Sequence, residues 1–264
     1  MSLIKSISGI RGTIGGRPNE NLTPLDIVRF SASFGTFIKE SVSHSKKIII
    51  GRDGRISGEM IRNLVVSTLT GLGLDVQDLG LSTTPTVEMA VLMEKAAGGI
   101  IITASHNAQD WNALKLLNSA GEFISAQDGK WILEKAASDS FVFAPIDKLG
   151  HYSVDNSYQY KHIQAIIDYP LIDLPAIRAK HFKVVIDTIN STGSLFIPPL
   201  LRALGAENVR ILNEDVNGRF AHNPEPLPEN LSALSAEVKK SGADLGIAVD
   251  PDVDRLCFVC EDGT

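Results

Sequence analysis

Residues 98–107 read Gly-Gly-Ile-Ile-Ile-Thr-Ala-Ser-His-Asn. Two glycines followed by three β-branched residues predict a short buried strand. The strand leads directly into a polar segment that has neither helical nor strand periodicity. A rigid strand end that presents Ser105 in a loop can hold a reacting hydroxyl in place. The same pattern is also typical of a simple strand-to-turn junction, in which Ser and Asn only satisfy backbone groups.

Outward from this stretch, strand patterns and helix patterns alternate. Residues 48–50 and 183–187 predict buried strands, and Thr23-Pro24 predicts a helix start. Such alternation predicts an α/β protein with mixed, mostly parallel sheets covered by helices. An irregular segment at 141–155 divides the chain into two consecutive three-layer α/β domains, 1–150 and 151–264.

The composition is that of a globular protein with a real core. The chain has 264 residues, 44% of them hydrophobic, and a formal net charge of −6. A negative chain offers no broad surface for nucleic acid or anionic lipid, so neither nucleic acid nor membrane is an expected partner. Two cysteines imply no disulfide framework. With no apolar run approaching the ~20 residues of a membrane span and no signal peptide pattern, a cytoplasmic location is expected.

The strongest chemical signal is Asp250-Pro251-Asp252-Val253-Asp254-Arg255. Three carboxylates at alternate positions repel one another, and a bound cation offsets that cost. Oxygen-only ligands suit a hard ion such as Mg²⁺. A solvated acidic turn is the alternative, but apolar strands predicted on both sides favour a rigid site. An EF-hand is excluded, because Arg255 stands where that loop needs glycine.

Other residues suggest phosphoryl chemistry. Ser105 could accept and donate a phosphoryl group, and Lys115 could serve as a general base or orient a phosphate; an ordinary surface lysine is the alternative. Arg11, in the glycine-rich segment 8–17, could reach a phosphate, although such a segment also forms ordinary turns.

Three further features concern structure. Cys257 and Cys260 lie three apart on a predicted strand and point to opposite faces, which favours core packing over a redox or zinc site. Asn230 is a predicted helix cap. Asp262-Gly263 predicts a hairpin turn with no strand after it, so the chain is expected to be a fragment.

Several of these motifs resemble the α-D-phosphohexomutase family, which interconverts the 1- and 6-phosphates of hexoses or hexosamines. Residues 103–107 (Thr-Ala-Ser-His-Asn) are similar to its phosphoserine loop, and residues 250–255 to its metal loop. Residues 9–12 (Gly-Ile-Arg-Gly), 51–53 (Gly-Arg-Asp) and 222–231 also match, in the family's order and across the whole chain.

The resemblance implies that Ser105 carries the phosphoryl group and binds Mg²⁺ together with Asp250, Asp252 and Asp254. It implies a phosphoryl-transfer site that includes Lys115 as the general base and the residues Arg11, His106, Asn107 and Arg255. The chain departs from the family pattern at Ala108, Ala113, Pro251 and Val253, where proline or glycine is usual.

The expected substrate is a small-molecule hexose or hexosamine phosphate. The expected reaction is of the phosphoglucomutase/phosphomannomutase type, with phosphoglucosamine mutase as the alternative. Family members have four domains, so the C-terminal domains of the same chain are missing partners, and this fragment is expected to bind Mg²⁺ without turnover. A non-catalytic sugar-phosphate-binding protein and a Mg²⁺-dependent phosphatase are the competing hypotheses.

Overall fold

The computed structural model describes residues 2–6 and 9–264. The N-terminal half is built on a seven-stranded sheet. Its strands are β1 (Ile4–Ser6), β2 (Gly9–Thr13), β3 (Lys47–Arg52), β4 (Asp75–Leu81), β5 (Gly98–Ile102), β6 (Trp111–Leu117) and β7 (Tyr152–Val154). Their spatial order is β1-β2-β6-β5-β3-β4-β7. The pairs β5-β3, β3-β4 and β4-β7 are parallel, and the others are antiparallel, so the sheet is mixed as predicted.

Helices cover both faces of this sheet. They are α1 (Pro24–Ser41), α2 (Gly58–Gly71), α3 (Thr84–Met93) and α4 (Ala126–Ser138). Along β3, Ile48 and Ile50 face the core under α1, α2 and α4, while Ile49 faces the core under α3. The two-residue period of a strand thus fills two hydrophobic layers. Each isoleucine is fully buried, which contributes about 1.5 to 3 kcal/mol apiece.

A four-stranded sheet forms the C-terminal half. Its strands are β8 (Lys183–Asp187), β9 (Asn208–Leu212), β10 (Leu245–Val249) and β11 (Leu256–Cys260), in the order β11-β10-β8-β9. The helices are α5 (Tyr158–Ile167), α6 (Leu174–Ala179), α7 (Gly193–Leu204) and α8 (Ser232–Ser241). Leu234 and Val238 of α8 fill one face of the sheet, and Ile197 and Leu201 of α7 fill the other.

The segment at 141–155 is more regular than predicted. It contains a 3₁₀ turn at Ile146–Lys148, and β7 pairs in parallel with β4. Three residues are too few to show a strand period in sequence, which is why the strand was missed. The first sheet therefore continues beyond residue 150, and the division into 1–150 and 151–264 stays a prediction.

Two local predictions are wrong. Asn230 ends a 3₁₀ turn and Leu231 precedes α8, because the Asn230 side chain donates to the Glu225 carbonyl rather than capping the helix. Cys257 packs against the core under α8 as expected, but Cys260 is exposed, since it lies on the outer face of the last strand. Of the residues that the structure describes, none belongs to a helix long and apolar enough to cross a membrane.

Candidate active site

The two motifs that carry the predicted chemistry meet where strands end. Ser105 follows β5 of the first sheet, and Asp250 lies in the loop of the β10–β11 hairpin of the second. The Ser105 hydroxyl donates to Asp250 Oδ2 at 2.6 Å, although 145 residues separate the two. Ligand sites in α/β proteins form at the carboxyl ends of strands, and this site follows that rule.

The backbone of Ser105 is unusual. Its φ is 49°, in the left-handed region that favours glycine. The Ser105 N–H donates to Thr103 Oγ1 at 2.9 Å, and His106 Nδ1 lies 3.3 Å from Ser105 Oγ. Ser105 is 7% exposed, so its hydroxyl is directed by the protein rather than by solvent.

Asp53 and Arg55 are site residues to which no role was assigned from sequence. Both are buried, and Arg55 Nε donates to Asp53 Oδ2 at 3.0 Å. The Arg55 guanidinium also donates to backbone carbonyls of the loop that carries Ser105. The available signal was Asp53 at the end of the Gly-Arg-Asp motif, directly after a buried strand, with Arg55 two residues later.

The three aspartates form one cluster, in which a ligand oxygen from each lies within 4.8 Å of the others. Burial raises the pKa of Asp250, and the charges of Asp252 and Asp254 raise it further. Burial alone would also raise the pKa of Asp252, but the charge of Lys115 and hydrogen bonds from Lys115 and Thr84 lower it. Two of the three carboxyl groups, those of Asp250 and Asp252, are buried, and Asp254 is exposed.

A divalent cation fits this cluster. Asp252 Oδ1 is buried and receives no hydrogen bond from residues 2–6 and 9–264. A buried carboxylate oxygen without a donor is costly unless a cation meets it. The donors are all oxygen, which suits Mg²⁺ better than Zn²⁺ or copper.

Lys115 lies against the cluster, with Nζ 2.7 Å from both Asp252 Oδ2 and Asp254 Oδ2. Burial alone would lower the pKa of Lys115, but the two carboxylates outweigh it and raise the pKa above its ordinary value. Lys115 is therefore protonated at neutral pH. This suits an anion-binding or proton-donating role, and the general-base role stays a prediction.

A cavity of about 210 Å³ opens beside these groups. The predicted residues that line it are Arg11, Ser105, His106, Lys115, Asp254 and Arg255. Arg11 Nε is buried and has no acceptor within the described ranges, so it is free to meet an anion. Burial lowers the pKa of His106, and the charge of Arg255 lowers it further, which keeps the imidazole neutral. Ser8, at the start of the glycine-rich segment, lies outside the described residues.

A second groove lies beside the cavity, and the predicted residues His106 and Asn107 line it. Arg255 Nη1 pairs with Glu225 Oε1 at 3.0 Å. Asn107 lines this groove together with His222 and Glu225, and its buried Oδ1 has no donor in the part of the chain described. The structure thus brings all nine predicted site residues to one side of the molecule, around one cavity and its rim.

His222 anchors the segment that carries Glu225. Its Nε2 lies 2.9 Å from Asp187 Oδ2 and its Nδ1 lies 2.8 Å from the Asn223 carbonyl oxygen. Both partners only accept hydrogen bonds, so the protonated ring, which donates from both nitrogens, satisfies both of them. The hydrogen bond to Asp187 accordingly raises the pKa of His222 above 6.5.

This geometry predicts a pH-dependent stability. The folded state raises the pKa of His222. The contribution of His222 to the free energy of unfolding is therefore complete below pH 6.5 and is lost as pH rises through the folded-state pKa. Replacing His222 by Gln is expected to lower the free energy of unfolding by about 1.5 to 3 kcal/mol at pH 5.5, the range for a charged hydrogen bond, and by less at pH 9. Urea unfolding at both pH values measures this. The exposed His44→Gln is the control, and an equal loss for His222→Gln at both pH values would contradict the prediction.

Comparison with known proteins identifies the family. Residues 3–143 match the phosphoglucomutase/phosphomannomutase α/β/α domain I, and residues 160–263 match domain II of the same family. The chain belongs to the phosphoglucomutase/phosphomannomutase family. The recognition made from the motifs is therefore confirmed.

Individual relatives agree with this assignment. The chain is 37% identical to a phosphoglucomutase/phosphomannomutase of Thermococcus kodakarensis over 96% of this chain and 55% of that protein. It is 30% identical to a phosphoglucosamine/phosphogalactosamine mutase of Sulfurisphaera tokodaii over 100% of this chain and 56% of that protein. The crystal structure of a phosphoglucomutase/phosphomannomutase family protein from Burkholderia thailandensis superposes with a TM-score of 0.83 at 25% identity, covering 99% of this chain and 56% of that one. The chain spans about half the length of the curated relatives it matches.

One departure from the family pattern has a measurable consequence. Val253, where glycine is usual, has a φ of 62°, which crowds a β-branched side chain. Replacing Val253 by Gly is expected to stabilise the protein by roughly 0.5 to 1 kcal/mol, because relief of about 1 to 2 kcal/mol of strain exceeds the entropy cost of glycine. Thermal unfolding measures this. The control is Val142→Gly, at an exposed position without positive φ, which is expected to give no increase in stability. A Val253→Gly variant less stable than wild type would contradict the prediction that the Val253 backbone is strained.

Proposed function

We propose that this chain carries the phosphoryl-transfer site of a phosphohexomutase that acts on a hexose or hexosamine phosphate. One observation carries the proposal: the Ser105 hydroxyl bonds to Asp250 inside a three-aspartate cluster that opens on a cationic cavity. A hydroxyl acceptor, a cation site and anion-binding groups are the parts that phosphoryl transfer requires.

In the proposed reaction, phosphorylated Ser105 gives its phosphoryl group to a hydroxyl of the sugar phosphate. The bond between phosphorus and Ser105 Oγ breaks as a bond from phosphorus to the sugar oxygen forms. The sugar bisphosphate then turns over in the site and returns the other phosphoryl group to Ser105. Isomerisation between the 1- and 6-phosphates results, without net release of phosphate.

The residues of the cavity have distinct roles in this proposal. Arg11 and Arg255 hold the phosphate oxygens, and neutral His106 donates or accepts a hydrogen bond at Ser105. Lys115, protonated at rest, gives a proton to the departing Ser105 oxygen and recovers one from the attacking hydroxyl. Asp250, Asp252 and Asp254, together with Ser105, would hold Mg²⁺. When bound, the cation neutralises charge that develops on the phosphoryl oxygens.

Relatives named for two substrate classes support the range of sugars. One is named for glucose and mannose phosphates and another for glucosamine and galactosamine phosphates. The test is an assay with glucose, mannose and glucosamine 1-phosphates, Mg²⁺ and a trace of hexose 1,6-bisphosphate. It should be run on this chain and on a longer version with the length of the relatives. Conversion to 6-phosphates by the longer version supports a mutase, release of inorganic phosphate indicates a phosphatase, and binding without conversion indicates a non-catalytic protein.

The cation site has its own prediction. Mg²⁺ at about 100 times its dissociation constant should stabilise the folded chain by about 2.7 kcal/mol. For a chain of this size that raises the melting temperature by roughly 5 °C or more. Asp250→Asn, which keeps the shape of the side chain, is expected to lose this response, whereas the exposed Asp215→Asn keeps it. A Mg²⁺ response that survives in Asp250→Asn would contradict the assignment.

A further inference from the structure

We propose that Arg55 is a positioning residue, whose buried guanidinium holds the serine loop, residues 103–110, in the conformation that places Ser105 Oγ against Asp250. The proposal rests on the proposed function in one respect, namely that the contact between Ser105 and Asp250 serves phosphoryl transfer. Arg55 itself is 1% exposed and is not among the residues that line the cavity, so it acts through the loop and not on a substrate.

The first argument is the number of loop carbonyls that Arg55 binds. Its Nη2 donates to the carbonyls of Ser105 and Asn107, each at 2.6 Å. Its Nη1 donates to the carbonyls of Ala108 and Trp111, at 2.6 and 2.9 Å. One side chain thereby binds three carbonyls of the serine loop and that of Trp111, the first residue of β6. The loop has no regular ladder of backbone hydrogen bonds, so the guanidinium supplies donors that a strand or helix would otherwise provide.

The second argument is the anchor of the guanidinium. Asp53 accepts from Arg55 Nε and from the Arg55 backbone N–H, both at 3.0 Å. The same carboxylate accepts from Thr103 Oγ1 at 2.7 Å, and Thr103 Oγ1 in turn accepts from the Ser105 N–H. Asp53 therefore fixes both Arg55 and the first residues of the serine loop.

The third argument is the left-handed backbone of Ser105. A residue other than glycine keeps such a conformation only where its surroundings determine it. The turn at residues 53–55 holds both peptide groups of Ser105. The Ser105 N–H is held through Thr103 and Asp53, and the Ser105 carbonyl is held by Arg55. Without these bonds the backbone would relax, and the hydroxyl would swing away from Asp250.

The turn at residues 53–55 also reaches the other half of the site. The Gly54 N–H donates to Ser191 Oγ at 3.0 Å, and Ser191 Oγ donates to the Pro251 carbonyl at 2.6 Å. Pro251 lies between two of the aspartates. One turn is therefore tied to the serine loop directly and to the aspartate loop through a single hydroxyl.

Lysine cannot replace Arg55 in this role. A planar guanidinium offers five N–H donors in a fixed fork, whereas an ammonium offers three on a flexible stem. Arg55→Lys keeps the charge and removes the fork. Thr103→Val, a milder change, keeps Arg55 and removes only the link between Asp53 and the Ser105 N–H. Arg62→Lys, which alters a partly buried arginine paired with Asp78, is the matched control.

The first measurement is amide hydrogen exchange of the chain without metal. In Arg55→Lys we expect exchange in the serine loop to accelerate at least about tenfold, and exchange in β3 to change by less than about threefold. Thr103→Val should accelerate the loop in the same direction, and Arg62→Lys should not. Unchanged loop exchange, or equal acceleration in the loop and in β3, would overturn the proposal, because a merely structural arginine would loosen the fold as a whole.

The second measurement is a double-mutant cycle on Mg²⁺ affinity, with MgCl₂ alone as the ligand. Arg55→Lys and Ser105→Ala should each weaken binding by a similar factor, about fivefold or more, and the double variant should be no weaker than Ser105→Ala. Effects that multiply would overturn the claim that Arg55 acts through Ser105. Absence of Mg²⁺ binding in the wild-type chain would count against the proposed function, while hydrogen exchange would still decide the role of Arg55.

Discussion

Replacing Ser105 by alanine is expected to abolish phosphoryl incorporation. The wild-type chain, incubated with Mg²⁺ and hexose 1,6-bisphosphate, should gain one phosphoryl group, and the variant should load at least about a thousandfold more slowly. The physical reason is that the transferred group needs an oxygen acceptor. Within the described part of the chain, the hydroxyls of Ser105 and Thr84 donate to the aspartate cluster, and of these two residues only Ser105 lines the cavity. Intact mass measured against time gives both the stoichiometry and the rate.

The control for this experiment is Ser67→Ala, an exposed serine on α2. It should load at the wild-type rate. Incorporation into Ser105→Ala at a tenth of the wild-type rate or faster, about 1.4 kcal/mol in barrier height, would place the acceptor elsewhere. A wild-type chain that stays unmodified would contradict the loading expected of these 264 residues.

The largest expected effect on stability comes from Asp53→Asn. Asp53 and Arg55 have fully buried side chains, and burial raises the pKa of Asp53 despite the charge of Arg55. A buried ion pair adds little net stability, but removing one partner leaves the other charge uncompensated. The free energy of unfolding should therefore fall by about 3 to 5 kcal/mol. Equilibrium denaturation in urea, followed by far-ultraviolet circular dichroism, measures this change.

Glu134→Gln is the matched control. Glu134 pairs with Lys130 four residues away on α4, at 3.9 Å, and both side chains are mostly exposed. Such a pair contributes about 0 to 1 kcal/mol, so the control should be close to wild type. A loss below about 1 kcal/mol for Asp53→Asn would mean that water or a side chain replaces the lost acceptor, and that the pair is not the buried anchor described above.

The fold was largely predictable because its central strands are recognisable in the sequence as short apolar runs with clear boundaries. Ile48 to Ile50 and Ile100 to Ile102 are short apolar runs bounded by charge or glycine, and both are buried strands. Where the signal is short or local, prediction failed. The strand β7 has three residues, and the expected cap at Asn230 was displaced by a hydrogen bond to Glu225.

The site residues were predictable where the residue types themselves indicate a chemical role. Three alternating aspartates and a serine in a polar loop are unusual enough to be noticed without a structure. The role of Arg55 was not predictable, because it depends on the carbonyls of a loop 50 residues away in sequence. Every residue has a backbone carbonyl, so the sequence does not show which carbonyls a side chain will bind. The charged state of Lys115 likewise follows only from its two partners, which lie 137 and 139 residues away.

The distance in sequence between Ser105 and the aspartates has a consequence during synthesis of the protein. The first sheet is complete once β7 has left the ribosome, but Asp250 emerges roughly 100 residues later. At about 5 to 20 residues per second, the nascent chain spends roughly 5 to 20 s with a finished serine loop and no carboxylate to meet it. Under the proposed function, metal capture and phosphorylation of Ser105 would therefore be late events, which a half-made chain could not undergo.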